Sequence, residues 1–497
     1  MRLIAREGVL EARDAVSDPF VYVPVRIPAG AAGVAVSLTY DDPGPTDRRG
    51  VGSILDLGLF EPGSLEIGTP AFRGWSGSER REIVVGERAA TPGYLLGPIR
   101  SGRWHVIVGL CQVAPGGCRY RVGVEPLAIG DPRLGAVAAA VPSADPGDHV
   151  PTASDPGHVA SAARGRPATV EPVLARKDAL QTSADPWWPG DLHCQTVHSD
   201  GKLTVAAIAR FGRAAGLAFL FVSDHNTTSH RAELDGVGAA AAIALHPAEE
   251  VTTYRGHMGA LGASGWVDFR QVDSTGMARA AAAVRDGGGL TVRNHLASTS
   301  SPWEFGPVTA AVEVWNGPWD GRNRNESALS SWADELATGR RTVAVGGSDM
   351  HDIPADRQPI GTPITWVRAP DPGRVGVLDG LRAGRVVLSR TVAGPHLDAL
   401  ARTDDPGDGS AGIGDTLTGA AIADVELRWR VRAGMGGEVR VFGPDGGLAS
   451  VALDTDDAEG TLRIPSADRP RFIRLEVRAP DGALLALANP IYLEENA

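Results

Sequence analysis

The sequence predicts an α/β protein in which a barrel of strand–helix repeats is flanked by N- and C-terminal β-sandwich domains. Three observations predict it. Apolar residues alternate with a period of two in residues 1–141 and again in 396–497, the pattern of half-buried strands joined by tight turns. Between 187 and 395, short apolar runs alternate with Ala-rich stretches of helical spacing. Repeated strand-then-helix units imply a parallel sheet, and this many of them imply a barrel. Residues 142–186 lose nearly all apolar periodicity and read as a Pro/Gly-rich linker.

In residues 1–141, Val34, Val36, Leu38 and Tyr40 alternate with small or polar neighbours, as do Leu55, Leu57 and Leu59. Trp104, Val106, Val108 and Leu110 form a third run. The turn Pro115-Gly116-Gly117 leads from it into Tyr120, Val122 and Val124. Few candidate ligands lie here, which predicts a packing or specificity domain. In the linker, Asp-Pro-Gly recurs at 145–147 and 155–157, and His149 and His158 receive no role. From 187 onward, helices are expected over 203–215, 278–285, 326–337 and 375–381, each closed by a nearby glycine. Strands are expected over 220–223, 290–292, 311–315 and 342–345. In 396–497, Val425, Leu427, Trp429 and Val431 share one face, as do Ile473, Leu475 and Val477. Pro444-Asp445-Gly446 and Pro480-Asp481-Gly482 mark turns there.

The chain carries 48 basic and 60 acidic residues, a net charge of −12. That excludes bulk nucleic-acid binding, which needs clustered Lys and Arg to neutralise phosphates. A small anionic substrate still fits, because bound divalent cations would dominate the local field. Cys111, Cys118 and Cys194 form no disulfide framework; the first two flank the 115–117 turn and are placed across a hairpin as reduced thiols. With no apolar run of ~20 residues and no secretory-type N-terminus, the expectation is a cytoplasmic protein with no membrane span. The sequence leaves the oligomeric state open.

Barrel enzymes carry their chemistry at the C-terminal ends of the strands, and here those ends are rich in metal-ligating residue types. The first offers Asp191, His193, Gln195, His198 and Asp200, and the second Asp224 and His225. Further on come His246, Glu249, Glu250 and His257, then Asn294-His295, and last Ser348-Asp349-Met350-His351. A single histidine at a strand end is usually a hydrogen-bonded structural residue. Five or six such ends in one domain fit that explanation poorly. A carboxylate such as Glu250 can bridge two cations while imidazoles and other carboxylates complete each shell. No Ser or Cys nucleophile motif competes, and Cys194 is expected to be a packed thiol.

At these residues the sequence resembles the PHP (polymerase and histidinol phosphatase) superfamily of metal-dependent hydrolases. Asp191-Leu-His193-Cys-Gln195 with Ser199-Asp200-Gly201 is similar to its first motif, and Ser223-Asp224-His225-Asn226 to its second. Glu250 matches the bridging glutamate, His257 and His295 the middle histidines, and Gly347-Ser348-Asp349-Met350-His351 the closing motif. The resemblance implies a distorted seven-stranded, TIM-like (βα) PHP barrel holding two or three divalent ions (Mn²⁺, Zn²⁺ or Fe²⁺). It assigns His193, Gln195, Glu250 and Asp349 to a first metal, Glu250, His257 and His295 to a second, and Asp200, His225 and His351 to a third. Glu313-Val-Trp-Asn-Gly317, with Phe72–Gly77 and Ala90–Tyr94, also looks like the multidomain branch that includes carbamate (carbaryl-type) hydrolases.

One departure stands out: Gln195 occupies the place of an imidazole. An amide carbonyl is a poorer ligand than imidazole for zinc, so the first site is expected to be weak, filled by Mn²⁺ or Mg²⁺, or empty, with His198 as the substitute to consider. The expected activity is hydrolysis by a metal-activated water, with Asp349, Glu250 and His351 as the catalytic residues and no separate nucleophile. The expected substrate is a small phosphorylated metabolite or nucleotide, with Arg255, Arg293 and Arg322 as phosphate clamps. A carbamate, amide or ester substrate at the same site is the alternative, and a degenerate binding protein the third reading.

Overall fold

A computed structural model describes residues 3–44, 51–140, 180, 183–352, 359–404, 409–419 and 424–495. Apart from 180 and 183–186, the expected linker, with His149 and His158, lies outside the described residues. The chain begins with two four-stranded antiparallel sheets. One is ordered Ile4–Leu10, Cys118–Leu127, Gly33–Tyr40, Glu82–Gly86, the other Phe20–Ile27, Gly102–Gln112, Ile54–Phe60, Phe72–Gly77. The alternating residues read from the sequence do face inward: Val34, Val36 and Leu38 share one core with Leu55, Leu57, Val106 and Val108. The turn at 115–117 does not close a hairpin, however. The strands on either side of it enter different sheets, so Cys111 and Cys118 are not cross-strand partners.

The second sheet is buried on its outer face as well. Phe60, Phe72, Trp75 and Ile107 pack there against Val251, Met258, Phe269 and Met277 of the middle segment. Each large apolar side chain so buried contributes roughly 2–3 kcal/mol, so the two parts are joined by a genuine hydrophobic core.

The middle segment is built on Trp187–Cys194. This strand pairs in parallel with Phe219–Val222, which pairs in parallel with Ala244–Pro247. Its other edge pairs antiparallel with Ile364–Arg368. A second sheet is ordered Glu250–Thr253, Gly256–Leu261, Leu290–Arg293, Ala311–Asn316, Val343–Gly347. Its first three strands are antiparallel and its last three parallel, so the expected uniformly parallel repeat is not what forms. The two sheets meet at both ends through parallel bridges, Cys194 to Met350 and His225 to Glu250. Both bridges lie at residues flanking or forming the suspected site.

Helices Val205–Ala214, Ser274–Asp286, Asn325–Ala337 and Arg374–Arg382 fall where expected, and Arg231–Ala241 is an additional one. Thr204 and Asp273 start two of them by accepting backbone N–H bonds from Ala207 and Gly276. The C-terminal strands do not stand apart as a closed sandwich. Leu484–Ala488 pairs with Val386–Ser389, so the sheet that contains Trp187–Cys194 continues into Phe472–Arg478 and Glu438–Gly443. A four-stranded sheet through His396–Thr403 and Val425–Arg432 packs on that extension, with Leu427 and Trp429 in the same core as Ile473 and Val477.

Candidate metal centre

Most predicted ligands sit at or just beyond a strand end, where apolar strand gives way to loop and a polar group can turn toward its neighbours. Trp187–Cys194 delivers His193 and the loop to Asp200, Phe219–Val222 delivers His225, and Val343–Gly347 delivers Asp349 and His351. Glu250 opens its own strand, His257 lies in the next, and His295 follows Leu290–Arg293. Asn226, His295 and Asp349 adopt positive φ of 49°, 30° and 52°, a region non-glycine residues enter only when the surroundings hold them there. Gly347 leaves space that a Cβ would fill: one there would collide with His193 and lie 2.9 Å from Glu313 Oε1.

Glu250 is fully buried at the centre. Its Oε2 faces His193 Nε2 at 3.0 Å, Gln195 Nε2 at 2.8 Å and His225 Nδ1 at 3.1 Å. Its Oε1 faces His257 Nδ1 at 3.2 Å, Asn294 Nδ2 at 3.0 Å and His295 Nε2 at 3.0 Å. Asp349 Oδ1 approaches His193 Nε2 at 3.2 Å. Asp200 Oδ1 lies 3.3 Å from His351 Nε2 and 3.6 Å from His225 Nε2. Three groups of donors therefore converge, each with ligand atoms within 4.8 Å of one another: Asp200, His225, His351; His225, Glu250, His257; and His193, Glu250, Asp349.

The donor set fits cations. Six nitrogens crowd Glu250, whose two oxygens offer only about four lone-pair directions. His193 Nδ1 lies 3.0 Å from Glu313 Oε1, and His351 Nδ1 lies 2.8 Å from the carbonyl oxygen of Asp349. Those acceptors assign the ring proton to Nδ1, leaving each Nε2 lone pair aimed at carboxylate oxygens, an arrangement that requires a positive charge between them and is the usual support for a metal-ligating histidine.

Electrostatics agrees. Burial opposes a charge on His193, but Asp349, Glu250 and Glu313 outweigh it and raise its pKa well above the ordinary value. For His351, burial is likewise outweighed by Asp200 and Asp349, and its pKa rises to about 10. Burial would push the Glu250 carboxyl up, yet His193 and His225 hold it well below the usual carboxylate range. His257 goes the other way: burial takes it down to about 4 despite Glu250.

Several residues take other duties. Asp191 accepts N–H bonds from Ser348, His193 and Gly361 at 3.0, 3.2 and 2.8 Å, so it ties backbone together and stays out of the cluster. Glu249 points away, accepting from Val267 N at 3.0 Å, and burial raises its pKa to about 8. His246 binds the carbonyl of Pro372. His198 is engaged by Ser229 at 2.7 Å and Glu233 at 3.0 Å and does not enter the first site. Cys194 is a fully buried thiol against the carbonyl of Phe221. Arg255, Arg293 and Arg322 are each paired with a carboxylate, Glu304, Glu335 and Asp320.

Sequence reasoning passed over Glu313 as a site residue, although its segment had been noticed. Besides His193, Glu313 accepts from His295 N at 2.8 Å and Asn316 Nδ2 at 3.0 Å. It also passed over Asp224 as an organiser: that buried carboxylate accepts from Thr196 N, Thr196 Oγ1 and Ser199 Oγ at 2.7, 2.8 and 2.7 Å, fixing the loop to Asp200. A buried carboxylate two residues into an apolar strand was the available signal for Glu313.

No family model and no curated protein matches the chain. Among solved structures it is similar to a two-domain protein containing a predicted PHP-like metal-dependent phosphoesterase from Bacteroides vulgatus, at 14% identity over 61% of this chain and 96% of that one, with a TM-score of 0.36. A candidate metal-dependent phosphoesterase from Bifidobacterium adolescentis matches at 17% identity over 35% and 90%, TM-score 0.25. An amidohydrolase from Chromobacterium violaceum, solved with bound sulfate and no metal, matches at 16% over 34% and 89%, TM-score 0.25. The likeness is thus to PHP-like metal-dependent phosphoesterases and an amidohydrolase; no carbamate hydrolase is among these three.

Proposed function

We propose that this chain is a metal-dependent hydrolase of the PHP type, acting on a small phosphoester. The observation that carries the proposal is the convergence of four imidazoles and two amides on the buried Glu250, with Asp200 and Asp349 alongside. In this reading the strands from 187 to 347, closed by the bridges at Cys194–Met350 and His225–Glu250, are the distorted barrel, within a hydrolase domain spanning 187–395. Residues 1–141 and 396–497 form the flanking β-domains.

His193, Glu250 and Asp349, with Gln195 beside them, would hold one cation; Glu250, His257 and His295 a second; Asp200, His225 and His351 a third. Bound there, divalent cations would polarise the ester oxygens and make a water nucleophilic near neutral pH. The chain's own part is to fix this set. Glu313 and the carbonyl of Asp349 turn the Nε2 atoms of His193 and His351 inward, and Asp224 holds the loop that presents Asp200. Among the described residues no helix is long and apolar enough to cross a membrane, and the proposed substrate is a small molecule.

A second reading keeps the site and changes the bond to a carbamate, amide or carboxylic ester. It is favoured by the pairing of Arg255, Arg293 and Arg322 with carboxylates, which leaves phosphate without those expected clamps. Elemental analysis of the purified chain combined with a panel of phosphomonoesters and aryl carbamates tests both. Two or more bound Mn, Zn or Fe per chain with phosphoester turnover is the expected result. Carbamate turnover alone selects the second reading, and a folded chain that binds no metal refutes both.

A further inference from the structure

We propose that the substrate pocket is shared between the N-terminal sheets and the metal centre, and that it selects an ester whose non-reacting part is a compact, uncharged aromatic group. This rests on the metallohydrolase reading and narrows its substrate class. A cavity of about 320 Å³ opens beside Asp200, His225 and His257, at the small end of the ~300–1,000 Å³ range of ligand sites. Its opposite wall is aromatic: Phe20 and Trp75 from the N-terminal sheet, Tyr254 and Phe269 from the middle segment.

These rings are packed on one another before any ligand arrives. Phe20 stacks on Tyr254 with centroids 5.6 Å apart and planes at 17°, and Trp75 lies 4.7 Å from Phe269. The Tyr254 hydroxyl donates to Asp56 Oδ2 at 2.6 Å across the junction. Gly109, in the strand beneath, permits this approach: a Cβ there would collide with that hydroxyl and lie 2.6 Å from Trp75. Such a wall presents flat apolar surface at fixed positions, suited to an aromatic ring packed at its preferred tilted or offset angles.

The charges in the lining decide against an anionic group at that end. Asp56, Glu79 and Asp200 line the cavity, and among the described residues no lysine or arginine does. Lys202 does not line the cavity, and its Nζ is paired with the lining residue Glu79 at 2.7 Å. A second phosphate or a carboxylate on the leaving group would meet acidic and aromatic surface with no counter-charge, whereas a neutral ring meets matching surface.

The test measures binding to the Mn²⁺-loaded full chain, by calorimetry, of phenylphosphonate, 4-carboxyphenylphosphonate and a hexose bisphosphate, none of which needs to turn over. Phenylphosphonate is expected to bind at least tenfold tighter than the other two. Trp75→Ala should remove that preference with metal content unchanged. Because Trp75 is buried, Ser78→Arg at the lining provides a second variant, and it should strengthen 4-carboxyphenylphosphonate binding at least tenfold. Equal or tighter binding of the carboxylated or bisphosphate probe, or a Ser78→Arg variant with no gain, overturns the proposal. Turnover of phenyl phosphate is scored separately. A phenyl preference without turnover keeps the pocket and refutes the phosphoester reading, and turnover without preference keeps that reading and refutes the pocket.

Discussion

Replacing Glu313 by glutamine should damage the first metal site without unfolding the protein. Glu313 is 2% exposed and accepts three hydrogen bonds, one on Oε1 from His193 Nδ1 and two on Oε2 from His295 N and Asn316 Nδ2. Glutamine has one oxygen to offer. Two donors on one side will claim it, leaving the amide NH₂ against His193 Nδ1. His193 must then accept at Nδ1 and carry its proton on Nε2, the atom aimed at Glu250 and Asp349. A protonated Nε2 cannot ligate. Losing such a supporting carboxylate costs ~10–100-fold in metal affinity, equal to roughly 1.4–2.8 kcal/mol. Competition titration with a chromophoric chelator should show one site weakened by that factor and the rest unchanged. Near-wild-type affinity at every site would refute the tautomer argument. The far-ultraviolet circular dichroism of the variant should be unchanged.

Three other perturbations follow from the same geometry. Gln195→His should tighten the first site, because an imidazole would replace an amide that now donates to Glu250 Oε2 and accepts from Ser199; an unchanged affinity in the same titration would show that this position holds no ligand. Asp349→Ala should abolish turnover and lower bound metal by one or more per chain while the fold persists, and retained kcat would refute the assignment. Arg80→Met removes two hydrogen bonds, each 2.7 Å, to the carbonyls of Val197 and Ser199. At ~1.5 kcal/mol for each charge-assisted bond at a partly exposed site, the loss is about 3 kcal/mol. Thermal unfolding should show it, and the site containing Asp200 should weaken most; equal weakening of all sites would argue for a global effect.

The parts legible in the sequence were those with a local signature. A run such as Phe219–Val222 ends in Asp224-His225, so apolar strand and polar end could be read together, and the same held for Val343–Gly347 ahead of Asp349. Glu250–Thr253 and Gly256–Leu261 were not legible as an antiparallel pair. Strands of four and six residues separated by Tyr254-Arg255 carry too little periodicity, so Glu250 and His257 were legible as candidate ligands but not as members of one hairpin. The strands Ile364–Arg368 and Val386–Ser389 escaped for the same reason. In Phe472–Arg478, Arg474, Glu476 and Arg478 alternate with Ile473, Leu475 and Val477, a pattern that ordinarily leaves the charged set in solvent. Instead Arg474 and Arg478 are buried, Arg478 pairs with Glu326, and Arg474 lies over the Trp332 ring. Least legible was how the N-terminal segment, expected to be a packing or specificity domain, reaches the site. Arg80 reaches Ser199, Thr227 donates to the carbonyl of Gly93, and Trp75 walls the cavity. Contacts more than a hundred residues apart leave no pattern in the intervening chain.

The charge arrangement of the centre gives the strongest reason to regard it as a cation site. Asp200, Glu250, Glu313 and Asp349 lie within one cluster of five imidazoles, and among the described residues none of the four pairs with lysine or arginine. Two carboxylates ~5 Å apart repel by roughly 3 kcal/mol at an effective dielectric of ~20, so several together need compensating positive charge. Protons on His193 and His351 would supply two units, as the raised pKa of each indicates. That solution leaves six nitrogens contending for the two oxygens of Glu250, and it gives no reason for His257, depressed to about 4 by burial, to remain beside them. A histidine kept neutral at the edge of a carboxylate is poorly used as a hydrogen-bond donor but well suited as a ligand, since ligation needs the deprotonated nitrogen. Divalent cations would meet both demands at once, neutralising the carboxylates and occupying the free lone pairs. Among the residues assigned to the three cations, Gln195 is the one that adds neither a charge nor an imidazole, and for that reason the site it shares with His193 and Asp349 should be the first to empty as free metal falls.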